Sequence, residues 1–225
     1  MFTRLRTATP PGPKRIAAGE AERTVMERET ILQRWGITAE ELTEIVVANP
    51  SMRGLMVGYV AEYKLRKMFF ESDTRVENLT KYDDHDRGRP ADLEFTYRRV
   101  PIRVEAKSLQ TATIKKTGRV YVGKFQCDAS DRRTVRLPNG ETLSTTCLVV
   151  DNFDLLAVNL FEFEQKWRFV FARNRDLPHS RYRGYTPEQR SYLLAALIDV
   201  SFPPEPPFIE DPFSLLDDIV REQPR

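Results

Sequence analysis

Three residues near the middle of the chain combine in a way that suggests chemistry. The stretch "RPADLEFTYRRVPIRVEAKSLQ", from Arg89 to Gln110, holds Asp92, Glu105 and Lys107 within two short alternating runs. Strand side chains alternate between faces. In "ADLEFTY", Leu93, Phe95 and Tyr97 share one face, and Asp92, Glu94 and Thr96 the other. In "IRVEAK", Ile102, Val104 and Ala106 oppose Arg103, Glu105 and Lys107. A hairpin turning at Arg98-Arg99 sets Glu94 opposite Arg103, an ordinary cross-strand ion pair. It also sets Asp92 opposite Glu105, with Cβ atoms about 5 Å apart, which is repulsive.

That repulsion has three remedies. One carboxylate can hold a proton, Lys107 can supply positive charge, or a divalent cation can sit between the acids. Mg²⁺ takes one or two carboxylates and keeps several waters. Two carboxylates, an ammonium and a hydrated metal suit phosphodiester cleavage. The metal acidifies a water and the lysine orients it and offsets phosphate charge. The blander reading is a charge ladder on a solvated strand face.

With those residues in place, "ADLEF", a turn and "RVEAKS" resemble the signature of the PD-(D/E)xK nucleases, the superfamily of type II restriction endonucleases and related repair and recombination enzymes. Asp92 matches the Asp of the first half-motif, and Glu105-Ala106-Lys107 matches E-x-K. The proline is displaced by one residue, in Pro90-Ala91-Asp92. The resemblance covers the hairpin closely and the remainder in outline. It implies an α+β fold with a restriction-endonuclease-like central mixed sheet flanked by helices. It also implies Mg²⁺ dependence and a double-stranded DNA substrate. Many nucleases of this kind carry a helical glutamate that reaches the metal, a role that falls here to Glu62. Gln126 resembles the glutamine that follows E-x-K in several branches; its plainer reading is a turn-initiating polar residue.

The elements that must position these residues are legible in part. The first 15 residues are Pro-rich and polar and read as a flexible leader without a secretory core. Residues 16–225 read as one nuclease domain, with N-terminal helices to about residue 70 and the catalytic sheet over about 89–200. A charged helix stops at Gly36. Thr38 and Glu41 form a capping box for the next helix. A third runs from about Met52 to Phe70 and is apolar nearly all round, so it is expected to be buried. Gly54, Gly58 and Glu62 lie on one stripe of it, which suggests close helix–sheet packing beside Glu62, or more plainly a border glutamate paired with Arg66. The segment "ESDTRVENLTKYDDHDRGRP" reads as a polar loop. Its "DDHDRG" (Asp83 to Gly88) is a solvated loop before it is a metal site.

Further strands are expected at "GRVYVGKF", at the Asn139-Gly140 hairpin, and at "DLLAVNLF" and "KWRFVFAR", joined by a turn at "EFEQ". Thr186-Pro187-Glu188-Gln189 is a second capping box, for a helix to about Ile198. "FPPEPPF" is a stiff linker, and a terminal helix follows Asp211. Helices, then strands, then helices argue for α+β.

Composition narrows the alternatives. The chain has 225 residues and a net charge of +2 from 35 basic and 33 acidic side chains, a balance that neither demands nor excludes nucleic acid. Lys115, Lys116, Arg119 and Lys124 cluster beyond the E-x-K. Arg132, Arg133 and Arg136 follow, and then Arg173, Arg175, Arg181 and Arg183 with Tyr182 and Tyr185. Of these, Lys115, Lys116, Lys124, Arg132, Arg133 and Arg173 are the candidate phosphate contacts. Only two histidines, His85 and His179, argue against His-metal nucleases and Ser-His or Cys-His hydrolases. Cys127 and Cys147 lack metal-ligand spacing and read as buried, reduced thiols. No window approaches the ~18 apolar residues of a membrane span, so a cytoplasmic protein is expected.

The sequence therefore favours a type II restriction endonuclease acting as a homodimer, since two strands need two sites. A cognate DNA methyltransferase would be a natural partner. The alternatives are a structure-directed repair or junction nuclease on the same fold, and a non-catalytic DNA-binding protein.

Overall fold

A computed structural model describes residues 29–81 and 91–223. The leader and the "DDHDRG" segment lie outside the described residues. The chain divides into two compact units, Met1–Asn49 and Pro50–Arg225.

The described part of the first unit is a pair of short helices, α1 (Ile31–Trp35) and α2 (Ala39–Ala48). Each begins with a capping box. Thr30 pairs with Gln33, and Thr38 with Glu41 as the sequence predicts. Gly36 ends α1 at φ 64°, a left-handed conformation that glycine adopts without steric cost.

The second unit is built on a five-stranded mixed sheet in the order β1-β2-β3-β8-β9. Its strands are β1 (Val76–Lys81), β2 (Leu93–Tyr97), β3 (Val100–Ser108), β8 (Leu155–Asn159) and β9 (Phe169–Arg173). Neighbours are antiparallel except β3 and β8, which run parallel. A parallel pair needs a long crossover. Here the crossover carries β4 (Lys115–Thr117), β5 (Val120–Gln126), β6 (Asp128–Arg136) and β7 (Thr142–Cys147). Every residue of β8 is buried, as its unbroken apolar run requires of a central strand.

The two faces of the sheet hold separate cores. On one face, α3 (Pro50–Leu65), the π-helical turn Arg66–Phe70 and α6 (Pro212–Glu222) cover the strands. There Ala61, Leu65, Phe70 and Leu216 pack with Leu93, Phe95, Val104, Leu155 and Phe171. On the other face a small sheet, β10-β5-β4, lies against the strands. Phe125 of β5, with Ile198 and Val200 of β10 (Leu197–Phe202), meets Leu156, Val158, Val170 and Ala172. Hairpin β6–β7 turns at Asn139-Gly140 as expected and forms a third cluster around Val135, Leu137 and Cys147. The fold class is therefore the expected α+β mixed sheet flanked by helices.

Four expectations need correction. The segment read as a polar loop contains β1. Its alternation is broken by a register shift between Glu77 and Thr80, and Asn78 lies at φ 55°. The helix after Thr186 is only α5 (Pro187–Ser191), and the chain turns into β10 instead of continuing to Ile198. The "EFEQ" turn holds a one-turn helix, α4 (Phe161–Glu164). Finally, α3 is buried on one side only. Ala61 and Leu65 are covered, while Leu55 (67% exposed), Tyr59 and Tyr63 face outward. A Cβ on Gly54 or Gly58 would meet nothing within 4 Å, so close packing is not why they are glycines.

Both cysteines are free and buried. No helix among the described residues is long and apolar enough to cross a membrane.

Candidate active site

The hairpin β2–β3 turns on Arg98 and Arg99, at φ 49° and 68°, the left-handed pair of a tight two-residue turn. The register sets Glu94 opposite Arg103, as the turn placement predicts, and the last paired residues are Leu93 and Val104. The expected Glu94–Arg103 ion pair does not form. The Arg103 guanidinium instead grips both carboxylate oxygens of Asp154, at 3.1 Å each, and the Asp151 carbonyl. That clamp ties β3 to the start of β8.

Beyond Leu93, β2 stops while β3 continues. The Asp92 N–H still donates to the Val104 carbonyl at 3.1 Å. The next ladder position is taken by a side chain: Asp92 Oδ2 accepts from the Ala106 N–H at 2.7 Å. A buried strand N–H needs a partner, so the end of β2 fixes the orientation of this carboxylate.

Glu105 and Lys107 stand on the face of β3 that looks toward β5. Their parallel partners on β8 are Leu156 and Val158, both core residues of that face. Glu105 is only 8% exposed. Lys107 Nζ lies 2.7 Å from Glu105 Oε1 and donates to the Asp128 carbonyl at 3.4 Å. Burial pushes the Glu105 carboxyl up from 4.5 to about 7. Lys107 pulls it down, the charge of Asp92 pushes it up, and Arg133 pulls it down again. Burial lowers the Lys107 ammonium, but Glu105, with smaller help from Asp92, offsets this, and its pKa ends above the usual value. Asp92, Glu105 and Lys107 thus form one electrostatic cluster. One of the three remedies for the acid pair, a neighbouring cation, is visible in it, and burial favours a second, a proton held on Glu105.

The donors offered here are carboxylate oxygens, the ligand type that hard cations such as Mg²⁺ prefer. Among the described residues no three His, Cys, Asp or Glu side chains converge as a metal cage. Two carboxylates meet the needs of Mg²⁺, which completes its shell with water.

Glu62 does not join the pair in one cluster. It lies on α3, which covers the opposite face of the sheet, and pairs with Lys81 Nζ at 2.6 Å, not with Arg66. Lys81 is the register partner of Leu93, so this ion pair stands beside the strand end that presents Asp92. Gln126 is exposed at the end of β5, where its Oε1 accepts from Gln110 Nε2 at 3.3 Å.

The basic candidates divide by what already holds them. Arg173 is committed to Asp176 and Glu222, and Lys124 lies 2.7 Å from Asp199. Lys116 stacks over Tyr121 at 4.7 Å from the ring centre. Lys115 is exposed, and Arg132 donates to the Ser144 carbonyl at 3.4 Å. Arg133 stands apart because its charge reaches Glu105.

Sequence reasoning missed Cys127 and Asp128 as neighbours of the site. Cys127 is fully buried and near enough to Lys107 to feel its charge; burial pushes the thiol up to about 12. Asp128 contributes its carbonyl to the ammonium. The only sequence signal was their position directly after a core strand.

No protein-family model matches the chain, and no curated protein does. Among solved structures, a bacterial homing endonuclease aligns with 52% of this chain and 74% of its own, at 18% identity and a TM-score of 0.26. A likeness of that size assigns neither fold nor activity.

Proposed function

We propose that this protein is a divalent-metal-dependent endonuclease of double-stranded DNA. In this reading it belongs with the PD-(D/E)xK enzymes and serves as a type II restriction enzyme. One observation carries the reading: Asp92, Glu105 and Lys107 gather where β2 ends and β3 runs on, with Glu105 buried beside the ammonium. A buried carboxylate facing a second acid is costly for stability alone, and a bound cation makes it useful.

Asp92 and Glu105 would hold Mg²⁺, which when bound acidifies a water and offsets the charge of the phosphate. The chain's own contributions follow from the geometry. The Ala106 N–H keeps Asp92 aimed. Glu105 must surrender its proton before it can ligate, so occupancy falls below about pH 7. The Lys107 ammonium, fixed by Glu105, orients the attacking water and neutralises a phosphate oxygen. Glu62 stays with Lys81 in this arrangement, so the proposal rests on Asp92 and Glu105.

Cutting both strands calls for two such sites, hence a homodimer, and the outward Leu55, Tyr59 and Tyr63 of α3 give a second copy apolar surface to cover. A restriction role brings a cognate methyltransferase and cytoplasmic action. Unmethylated phage DNA incubated with Mg²⁺ should give a fixed set of fragments, and none with a chelator. Cleavage confined to branched DNA would move the reading to a junction nuclease. No cleavage of either would end it.

A further inference from the structure

Beyond residue 70, the large hydrophobic side chains that stay exposed among the described residues are Val120, Val122, Tyr182 and Leu197. All four line one groove of about 920 Å³. Its floor is the outer face of the small sheet. Phe125, Ile198 and Val200 turn toward the main sheet, so alternation sends Val120, Val122 and Leu197 the other way. Its wall includes the segment "SRYRGY", Ser180 to Tyr185. Exposed apolar surface gathered in one concavity marks a binding site.

That wall holds an aromatic ring in place. The Tyr185 N–H donates to the Tyr182 carbonyl at 3.2 Å and closes a tight turn. The Tyr185 hydroxyl shares a 2.7 Å hydrogen bond with the hydroxyl of Thr145, which is fully buried. Its ring meets that of Tyr182 edge-on, at 5.1 Å and 76°. A Cβ on Gly184 would collide with Tyr182 Cε1 and stand 2.9 Å from its Cζ, so glycine lets the ring fold back over its own turn. Tyr182 is nonetheless 65% exposed. The charges beside it are open. Of the arginines that cluster here in sequence, Arg173 is held by Asp176 and Glu222, and Arg175 by Glu222. Arg181 and Arg183 are exposed, and no acid pairs with either among the described residues. Two of the three acids in the lining already hold cations, Asp176 with Arg173 at 2.6 Å and Asp199 with Lys124 at 2.7 Å. The third is Glu205.

We infer that this groove binds an unpaired nucleic-acid strand, with one base stacked on Tyr182 and its flanking phosphates on Arg181 and Arg183. A fixed, exposed aromatic face between cations suits a single strand, because every base offers a π-face and every linkage a charge. A duplex offers less, since its bases are already stacked on one another. The choice of nucleic acid over protein rests on the nuclease reading. The groove itself is separate from Asp92, Glu105 and Lys107, none of which lines it.

The test measures fluorescence anisotropy of a short labelled oligothymidylate, and of a mixed-sequence duplex of the same length, with the full chain in chelator. Tyr182→Ala should weaken binding of the single strand by at least about fivefold and of the duplex by less than about twofold. Tyr182→Phe should bind as the parent does, because the ring and not the hydroxyl makes the contact. Gly184→Ala should resemble Tyr182→Ala, since the added methyl displaces the ring. Arg181→Gln and Arg183→Gln should each reduce the slope of log affinity against log salt by about 0.7 on the single strand. The Tyr182 variants should melt with the parent, because the ring is exposed. Parental binding of the single strand by Tyr182→Ala, or an equal loss on the duplex, would overturn the inference. So would a parent that does not bind the strand, and Tyr182-dependent binding of an acidic, unstructured peptide in its place would make the groove a protein site. If the parent cuts DNA with Mg²⁺ while Tyr182→Ala binds the strand normally, the nuclease reading stands and this inference fails. If Tyr182-dependent binding of the strand is found without any cleavage, the nuclease reading fails and the groove stands.

Discussion

Replacing Glu105 with glutamine isolates the cost of its buried charge. Glu105→Gln keeps the shape and polarity of the side chain and removes only the ionisation. The folded carboxyl sits at about 7 against 4.5 when exposed. Its pKa is raised, so the folded state holds the proton more tightly than the unfolded chain. The associated stability is fully present below pH 4.5 and is lost as pH rises through about 7. At 1.36 kcal/mol per pKa unit, the ionised carboxylate costs the metal-free protein about 3 kcal/mol at pH 8. Parent and Glu105→Gln should therefore melt alike at pH 4. At pH 8 in chelator the variant should be more stable by about 3 kcal/mol, or roughly 6–12 °C for a domain of this size. Adding Mg²⁺ should stabilise the parent and leave the variant unmoved. Denaturant titrations at the two pH values measure the difference. A gap that does not change with pH would refute the reasoning.

Other outcomes follow from the same geometry. Lys107→Ala should abolish cleavage while changing DNA affinity only a few-fold, since the ammonium acts on the water and the phosphate at the reacting centre; full activity in that variant would remove the mechanism. Cleavage rate should climb with pH through a midpoint at about 7 and level above it, and the midpoint should move down as Mg²⁺ is raised, because the cation competes with the Glu105 proton. Tyr97→Phe should cost about 2 kcal/mol in urea denaturation, because the buried hydroxyl donates to the Asp217 carboxylate at 2.7 Å. An unchanged midpoint would show that this link between β2 and α6 is idle.

How much the sequence showed depended on whether local pattern or remote packing decided the outcome. The β2–β3 register was legible because alternation and turn placement are local, and they fixed which side chains could meet. The capping boxes at Thr38 and Thr186 and the cap at Asp211 were legible for the same reason. Strand β10 was not read, although Ile198, Val200 and Phe202 alternate with outward Leu197, Asp199 and Ser201; the capping box before it suggested a longer helix. Strand β1 gave a weaker signal, because a register shift breaks its period. The one-sided burial of α3 was invisible, since its apolar residues nearly encircle it and only tertiary contact decides which are covered. At the site, sequence supplied Asp92, Glu105 and Lys107. It could not separate Arg133 from Arg132 and Arg136, because the register shift before Arg133 arises from pairing with β7. It also could not show that Glu62 would take Lys81 as its partner.

The most direct test compares the parent with Asp92→Asn on supercoiled plasmid DNA in Mg²⁺, with a chelator control. Nicked and linear product from the parent alone, abolished by chelation, is the predicted result. Equal cleavage by both proteins, or cleavage that survives chelation, would contradict the claim that these paired carboxylates form a metal-dependent nuclease site.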